Sequence, residues 1–459
     1  MAKFVLIGSG LAGGLLAAYL GRRGYEVDLY ERRADPREGN LVGGRSINLA
    51  LSTRGIHALE QIGVADDVLK QAIPMRGRMI HPAKAGQAPI FVPYDVDPNK
   101  HINSIGRAAL NTTVIEAAQR YSNVRVFFNH KCTGVDLDSA TAQLVNSSVA
   151  AGVSPASDQT ISASGDAVIG VDGAFSAVRQ SMQLKIKDFQ YDESYLAHGY
   201  KELTIPPGPN GSWQMEKNAL HIWPRKSFMM IALPNPDGSF TCTLFWEFEG
   251  SRSFATTKTN DNVRQFFEEE FADAVPLMPG LLEDFRNNPT GSLVTIRSAP
   301  WFYRDKVCLV GDAAHAVVPF YGQGMNAAFE DCVVLDECLQ EFAPATAGSS
   351  VGEQDRERAF AEYFRRRKPN ADALADLALE NFIEMRDKTA SKAFRAKKKL
   401  DHFLEAALPG IYLPLYTMVT FTRVPYAQAR RRAKVQDMSV YAGLIAIAAI
   451  LVGLLRWLV

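Results

Sequence analysis

The stretch KFVLIGSGLAGGLLAAYLGRRGYEVDLYERR, starting at Lys3, leaves this chain few folds to choose from. An apolar run leads into Gly8, Gly10 and Gly13 in GxGxxG spacing, followed by an Ala/Leu-rich helix and a second strand ending at Glu31. Gly8 permits a tight turn, Gly10 lets the backbone approach a pyrophosphate, Gly13 allows helix and strand to pack closely, and Glu31 accepts hydrogen bonds from a ribose. A lone GxGxxG also occurs as a plain glycine-rich turn. Here the strand before it, the helix after it and the acid about 20 residues on are all in place, which is the full pattern of a dinucleotide-binding unit. An acid at Glu31 suits FAD or NAD and disfavours NADP in this pocket.

Two later turns have related grammar. In AVIGVDGAFSAVR a strand, Ala167 to Val171, ends in Asp172-Gly173, with Ser176 and Arg179 beyond. In VCLVGDAAHAVVPFYGQGMNAAFED a buried strand ends in Gly311-Asp312, and Pro319, Gly322 and Gly324 keep the backbone irregular before a helix begins. Strand, glycine-broken loop and helix N-terminus together form a ligand site for a planar or phosphorylated molecule. His315 in this turn reads as a turn residue rather than a general acid.

With 459 residues, 47% of them apolar, the chain is long enough for two or three domains. Basic and acidic residues balance at 50 each, so no overall field recruits nucleic acid. The five cysteines are scattered and lack CxxC spacing, which argues against a disulfide framework or a metal site and for reduced, buried thiols. The N-terminus carries no signal-peptide pattern. SVYAGLIAIAAILVGLLRWLV, from Ser439 to Val459, is apolar all round for about 20 residues, the length that crosses a bilayer. The basic cluster Arg430, Arg431, Arg432 and Lys434 precedes it, so a membrane anchor with the bulk of the protein facing the cytosol is expected.

Between these landmarks, a glycine-rich loop with Arg45 precedes a helix expected to carry Leu51, Ile56 and Leu59. Arg45 reads as a phosphate ligand or a loop cap. PMRGRMIH and the Pro93-Tyr94 dipeptide lie on strand-like segments; an arginine such as Arg78 there is either a carboxylate clamp or a solvated charge, and residue pattern alone favours the second. A helix is expected from Ile105 to Val126, and a surface loop from Asn146 to Thr160. From about Tyr191 to Arg297, alternating aromatic segments signal an antiparallel sheet inserted into the nucleotide domain. A linker, EFAPATAGSSVGEQD, and a helical region follow. The expected class is α/β: a Rossmann-like FAD-binding domain, an inserted antiparallel β-sheet substrate domain, a C-terminal helical region and an anchor helix. The boundaries are nucleotide domain 1–75, 101–185 and 298–345, substrate domain 76–100 and 186–297, helical region 346–437, and anchor 438–459.

The three-part pattern of GxGxxG, DG and GD turns resembles the single-component flavin-dependent aromatic hydroxylases. RSINLALS, IPMRGRMIH, HGYKELTIPP, HIWPRKSFMMIALPN, GDAAHAVVPFYGQGMNAAFED, NFIEMR and PLYTMVTF narrow the resemblance to the branch of that family acting on L-kynurenine. Departures fall mainly in loops, with Tyr321 and Ala328 in the GD region. The resemblance implies hydroxylation of L-kynurenine by O2 with NADPH as co-substrate, through a flavin C4a-hydroperoxide. It implies that FAD is lined by Gly8, Gly10, Ala12, Gly13, Glu31, Arg32, Arg45, Ala50, Arg107, Cys132, Asp172, Gly173, Arg179, Gly311, Asp312, Gly324, Met325 and Asn326. By the same carry-over Arg78 and Tyr94 hold the substrate carboxylate, Asn381 and Tyr416 complete the pocket, and Pro319, Phe320, Gln323 and Met385 lie beside the ring. The reading of Arg78 as a clamp thus comes from the family. No side chain is assigned the chemical step; Gln323 and Glu384 are supporting residues, and Glu384 reads equally as a helix-surface carboxylate. The membrane would be the mitochondrial outer membrane in a eukaryote or the cytoplasmic membrane in a bacterium. The rival classes are another FAD-dependent monooxygenase or reductase for a different aromatic, and a non-enzymatic membrane tether.

Overall fold

The computed structural model describes residues 2–38, 48–84, 86–95, 97, 99–146, 160–344, 352–388 and 392–458. Arg45 and most of the expected 146–160 loop lie outside them.

The first strand, Lys3–Ile7, is the spine of a six-stranded sheet in the order Phe302–Tyr303, Val307–Leu309, Ala167–Gly170, Lys3–Ile7, Glu26–Tyr30, Val124–Phe127. All neighbours run parallel except the first pair. Its strands are short apolar runs, as expected where helices cover both faces. The three turns singled out above all leave the same end of this sheet, because parallel strands put every carboxyl end together. The helices Leu11–Arg22 and Gly324–Phe342 pack beside it.

A second, seven-stranded sheet has the order Thr290–Ala299, Gln190–Ile205, Phe240–Glu247, Phe228–Pro234, Ala219–Arg225, Gly77–Ile80, Ile90–Pro93. It is antiparallel except where Ala219–Arg225 meets Gly77–Ile80. Side chains alternate between its faces. Phe228, Met230, Leu244 and Trp246 pack against Phe266 and Phe267 of the helix Asn260–Glu270. The intervening Met229 and Phe245 point to the opposite face, where Phe320 and Phe382 meet them. One face is thus a closed aromatic core, and the other is free to line a cavity.

Some expectations are corrected. Leu51 ends a strand, Asn48–Leu51, and the helix behind it is Thr53–Gln61. The expected helix from Ile105 to Val126 is three elements: the strand Ile102–Gly106, the helix Arg107–Gln119 and the strand Val124–Phe127. The membrane-spanning anchor is not met: among the described residues no helix is long and apolar enough to cross a membrane. The tail instead belongs to one helix of 33 residues, Tyr426–Leu458, so the boundary expected at 438 falls within it. This helix starts inside the protein body. Tyr426 and Ala429 are buried, and Arg430 pairs with Asp376 at 2.5 Å and Glu380 at 2.6 Å.

Candidate active site

A cavity of about 910 Å³ runs from the glycine turn, past the DG and GD turns, to the open face of the seven-stranded sheet. At the first end Gly8 has φ of 106°, and a Cβ on Gly13 would lie 1.9 Å from the Gly8 carbonyl oxygen, so helix and turn touch backbone to backbone. Gly10 differs. A Cβ there meets no protein atom within 4 Å, although the residue lines the cavity. The fold itself does not require glycine at position 10. Glu31 accepts from the Ser9 N–H at 2.8 Å and from Arg33 at 2.7 Å. Burial alone would raise its carboxyl, but the hydrogen bonds and charge of Arg33 and the Ser9 N–H hold it below its ordinary value.

In the middle section, Asp172 accepts from the Ala177 N–H at 2.8 Å, while its other oxygen is buried without a partner. Burial raises its carboxyl above the ordinary range. Cys132 faces it; burial and the Asp172 charge push the thiol up to about 12, which leaves no thiolate for chemistry. Asp312 reaches into the cavity and is accessible there, yet the cleft walls enclose it. That burial raises its carboxyl against the pull of Arg107. Below the GD turn, His315 shares Asp331 at 2.6 Å, stacks on Trp301 at 4.8 Å and is buried. Asp331 also takes the Gly311 N–H at 3.1 Å and Arg367 at 2.6 Å. His315 therefore ties strand, turn and helix together and is not part of the cavity lining.

At the far end lies a cation among rings. The Arg78 guanidinium sits 5.7 Å from the Tyr94 ring centre and 5.1 Å from that of Tyr416. The Arg78 Nε and the Tyr94 hydroxyl are both buried and have no hydrogen-bond partner. Leu220, Met229, Ile231, Phe245 and Phe320 wall the adjoining space. Phe320 is held by stacking on Phe382 at 4.1 Å and by Asn381, whose amide donates to the Phe320 carbonyl at 2.7 Å. A carboxylate-bearing aromatic suits this end: a desolvated cation with a hydroxyl beside it, and then an apolar slot.

Residues 1–376 match the family model described as an FAD binding domain. A kynurenine 3-monooxygenase from Dictyostelium discoideum is 47% identical over 428 residues, covering 93% of this chain and 89% of the relative. The chain belongs to the kynurenine 3-monooxygenase family. A kynurenine 3-monooxygenase from Myxococcus xanthus is also 47% identical, over 432 residues, covering 94% of this chain and 88% of that protein. Among solved structures, a 2-methyl-3-hydroxypyridine-5-carboxylic acid oxygenase is similar with a TM-score of 0.65 at 20% identity, covering 92% of this chain and 99% of that one. A tetracycline destructase, Tet(51), is similar with a TM-score of 0.61 at 16% identity, covering 92% and 100%. These two likenesses are of fold.

Of the residues expected at the site of a kynurenine 3-monooxygenase, the cavity collects Gly8, Gly10, Ala12, Glu31, Arg32, Ala50, Arg78, Tyr94, Arg107, Cys132, Asp172, Gly173, Asp312, Pro319, Phe320, Gly324, Met325, Met385 and Tyr416. Others stand behind its wall. Arg179 donates to the Ala313 carbonyl at 2.8 Å and the Ala174 carbonyl at 2.6 Å, joining the DG and GD turns. Asn326 bonds the Ser52 N–H, the Ala50 carbonyl and the Gly322 carbonyl at 2.9, 2.8 and 3.0 Å. Gln323 turns away from the cavity toward Ser52 and Tyr426, so it does not face a substrate ring as expected. Gly13, Gly311 and Asn381 also lie behind the lining, and Glu384 opens the π-helical turn Glu384–Lys388 that carries Met385. Missed by sequence reasoning were Leu220, Met229, Ile231 and Phe245; the alternation in LHIW, FMMIAL and TLFWE marks a sheet but not which face is the closed one.

Proposed function

We propose that the chain is an FAD-dependent, NADPH-consuming hydroxylase that converts L-kynurenine to 3-hydroxykynurenine with O2. The observation that carries this reading is the Arg78, Tyr94 and Tyr416 cluster at one end of a cavity whose other end is the glycine turn, in a chain of this family.

The cavity's polar atoms fit FAD. The Ser9 hydroxyl and one Asp172 oxygen are buried without partners beside the two turns, and Gly10 is open only toward the cavity. Gly8, Gly10, Ala12, Glu31 and Arg32 would hold the ADP half, and Ala50, Arg107, Cys132, Asp172, Gly173, Asp312, Gly324 and Met325 the remainder. When bound, FAD supplies hydride acceptance from NADPH and activation of O2. The chain's own tasks are placement and exclusion of water. Arg78 and the Tyr94 hydroxyl take the substrate carboxylate, which completes their missing interactions. The ring then lies along Leu220, Met229, Ile231, Phe245 and Phe320. The ring carbon beside the substrate's amine is already electron-rich, so orientation rather than a protein nucleophile is what the site must provide. The overall balance is kynurenine, NADPH, H⁺ and O2 to hydroxykynurenine, NADP⁺ and water. NADPH docks transiently at the cavity mouth, since Glu31 disfavours a phosphorylated ribose in the first pocket.

Kynurenine-dependent NADPH oxidation with stoichiometric 3-hydroxykynurenine tests the reading. Peroxide release without hydroxylated product would end it in favour of a hydroxylase or reductase for another aromatic.

For location, we infer that the last helix, apolar all round toward its end, attaches the chain to a membrane, with the basic cluster on the cytosolic side. Supporting this, Met438, Tyr441, Ile445, Ile450, Leu451 and Leu454 are all exposed along it. Deleting residues from Val440 should release the protein from a membrane pellet; persistent sedimentation would contradict it.

A further inference from the structure

Three walls of the cavity meet behind it at one buried amide. Leu49 and Ala50 come from the strand Asn48–Leu51, Pro319 to Gly322 from the loop, and Tyr416 from the helix Leu415–Phe421. The Gln323 amide lies between these elements. Its Nε2 donates to the Ser52 hydroxyl at 3.2 Å, and its Oε1 accepts from the Tyr426 hydroxyl at 3.1 Å. Ser52 follows the strand, and Tyr426 opens the last helix. Arg54 fixes the third wall. It lies 4.1 Å over the Tyr426 ring and donates to the carbonyls of Val419 at 2.5 Å, Thr422 at 2.6 Å and Val424, while Glu330 holds it at 3.1 Å.

Gln323 is 2% exposed and Tyr426 0%, so water does not substitute for a lost bond between them. The loop has little slack. Gly322, next to Gln323, has φ of 65°, and a Cβ there would come 3.1 Å from the Ala50 Cβ. A tilt of the Gln323 side chain therefore passes directly into the wall formed by Pro319 to Gly322. Of the carboxylate clamp, Tyr416 belongs to the third wall and stacks on Tyr321 at 5.9 Å, whereas the Arg78 charge stands on the separate strand Gly77–Ile80.

We propose that Tyr426 is a positioning residue of the cavity, acting through Gln323 to hold the Pro319–Gly322 wall against Ala50 and so to fix the depth of the substrate ring. The proposal rests on the hydroxylase reading. It assigns the start of the last helix a part in the fidelity of oxygen transfer rather than in affinity, which is set at Arg78.

Tyr426→Phe removes one hydroxyl and keeps the ring under Arg54. In the FAD-loaded full chain, 3-hydroxykynurenine formed per NADPH consumed should fall by about twofold or more, with peroxide making up the balance, while KM for kynurenine stays within about twofold. Bound FAD should match the wild type, and the thermal midpoint should fall by no more than about 1–4 °C, the cost of one buried acceptor left unpaired. In a Gln323→Met background the same change should cost nothing further, because both act through one bond. A Tyr426→Phe enzyme as well coupled as the wild type would overturn the proposal. So would a loss that tracks FAD release, or independent effects of the two changes. If the wild type itself makes no kynurenine-dependent product, the hydroxylase reading fails instead, and the two failures are told apart in the same assay.

Discussion

The Tyr94 and Tyr416 rings stack at 5.3 Å, nearly parallel at 15°, and the Arg78 guanidinium lies near both. Two side chains from distant parts of the chain thus share one cation. Ring faces attract a guanidinium but leave its N–H groups unsatisfied. With the Arg78 Nε and the Tyr94 hydroxyl both buried and unpartnered, an anion is the missing member.

Arg78→Met should therefore raise KM for kynurenine by about 30-fold or more, the cost of losing one side of a buried charge pair. FAD absorbance should be retained, because the cluster lies at the far end of the cavity from the glycine turn. Steady-state kinetics together with a flavin spectrum check both halves.

Gly10 and Gly13 should part company on substitution. Gly13→Ala drives a Cβ into the Gly8 carbonyl at 1.9 Å and should prevent accumulation of folded protein. Gly10→Ala has free space and an ordinary φ of −72°, so the apoprotein should melt as the wild type does. Its FAD affinity should still drop by about tenfold or more, because the new methyl enters the cavity where the backbone meets the pyrophosphate. Calorimetry on apoprotein and flavin titration separate the two effects.

Glu202 stands across from Thr243 in the seven-stranded sheet. Burial pushes its carboxyl from an ordinary 4.5 up to about 7, with Arg107 opposing. A folded value raised above the unfolded one means that its contribution is fully present below pH 4.5 and is lost as pH rises through about 7. Glu202→Gln should thus melt like the wild type at low pH and about 1–3 °C higher above pH 8. Parallel melts across that range are the check.

Asn326→Ala leaves the Ser52 N–H and the carbonyls of Ala50 and Gly322 without their bonds in a residue that is 0% exposed. A loss of about 2–4 kcal/mol is expected. Denaturant unfolding of the apoprotein would show it independently of FAD.

Much of the nucleotide half was legible because each of its turns carries a local signature: an apolar run, then Gly8, Asp172 or Asp312 at the strand's end. The inserted sheet was legible from period-two alternation. Other features depend on partners far along the chain. Gln323 reads as a ring-facing amide until Ser52 and Tyr426, on either side in sequence, are seen to take both its ends. Asn326 looks like a cavity residue, yet it braces Ser52, which is 274 positions away. Leu51 sits in a segment with helical spacing, but its strand is specified by pairing with Asn103. The buried charges Arg54, Glu330, Arg367 and Asp331 show no local pattern because each is satisfied only across elements.

The strand order of the six-stranded sheet also bears on how the chain is made. Lys3–Ile7 pairs with Ala167–Gly170, which in turn waits for Val307–Leu309. At about 5–20 residues per second, the ribosome delivers the last of these strands on the order of 15–60 s after the first. For about the first half of that interval, until Ala167–Gly170 emerges, the earliest apolar strand has only Glu26–Tyr30 beside it, and from then on Ala167–Gly170 is the edge left waiting. The nascent chain therefore exposes an unfinished parallel edge for most of its synthesis, so its yield should depend on holdase chaperones more than that of a protein whose domains close in sequence.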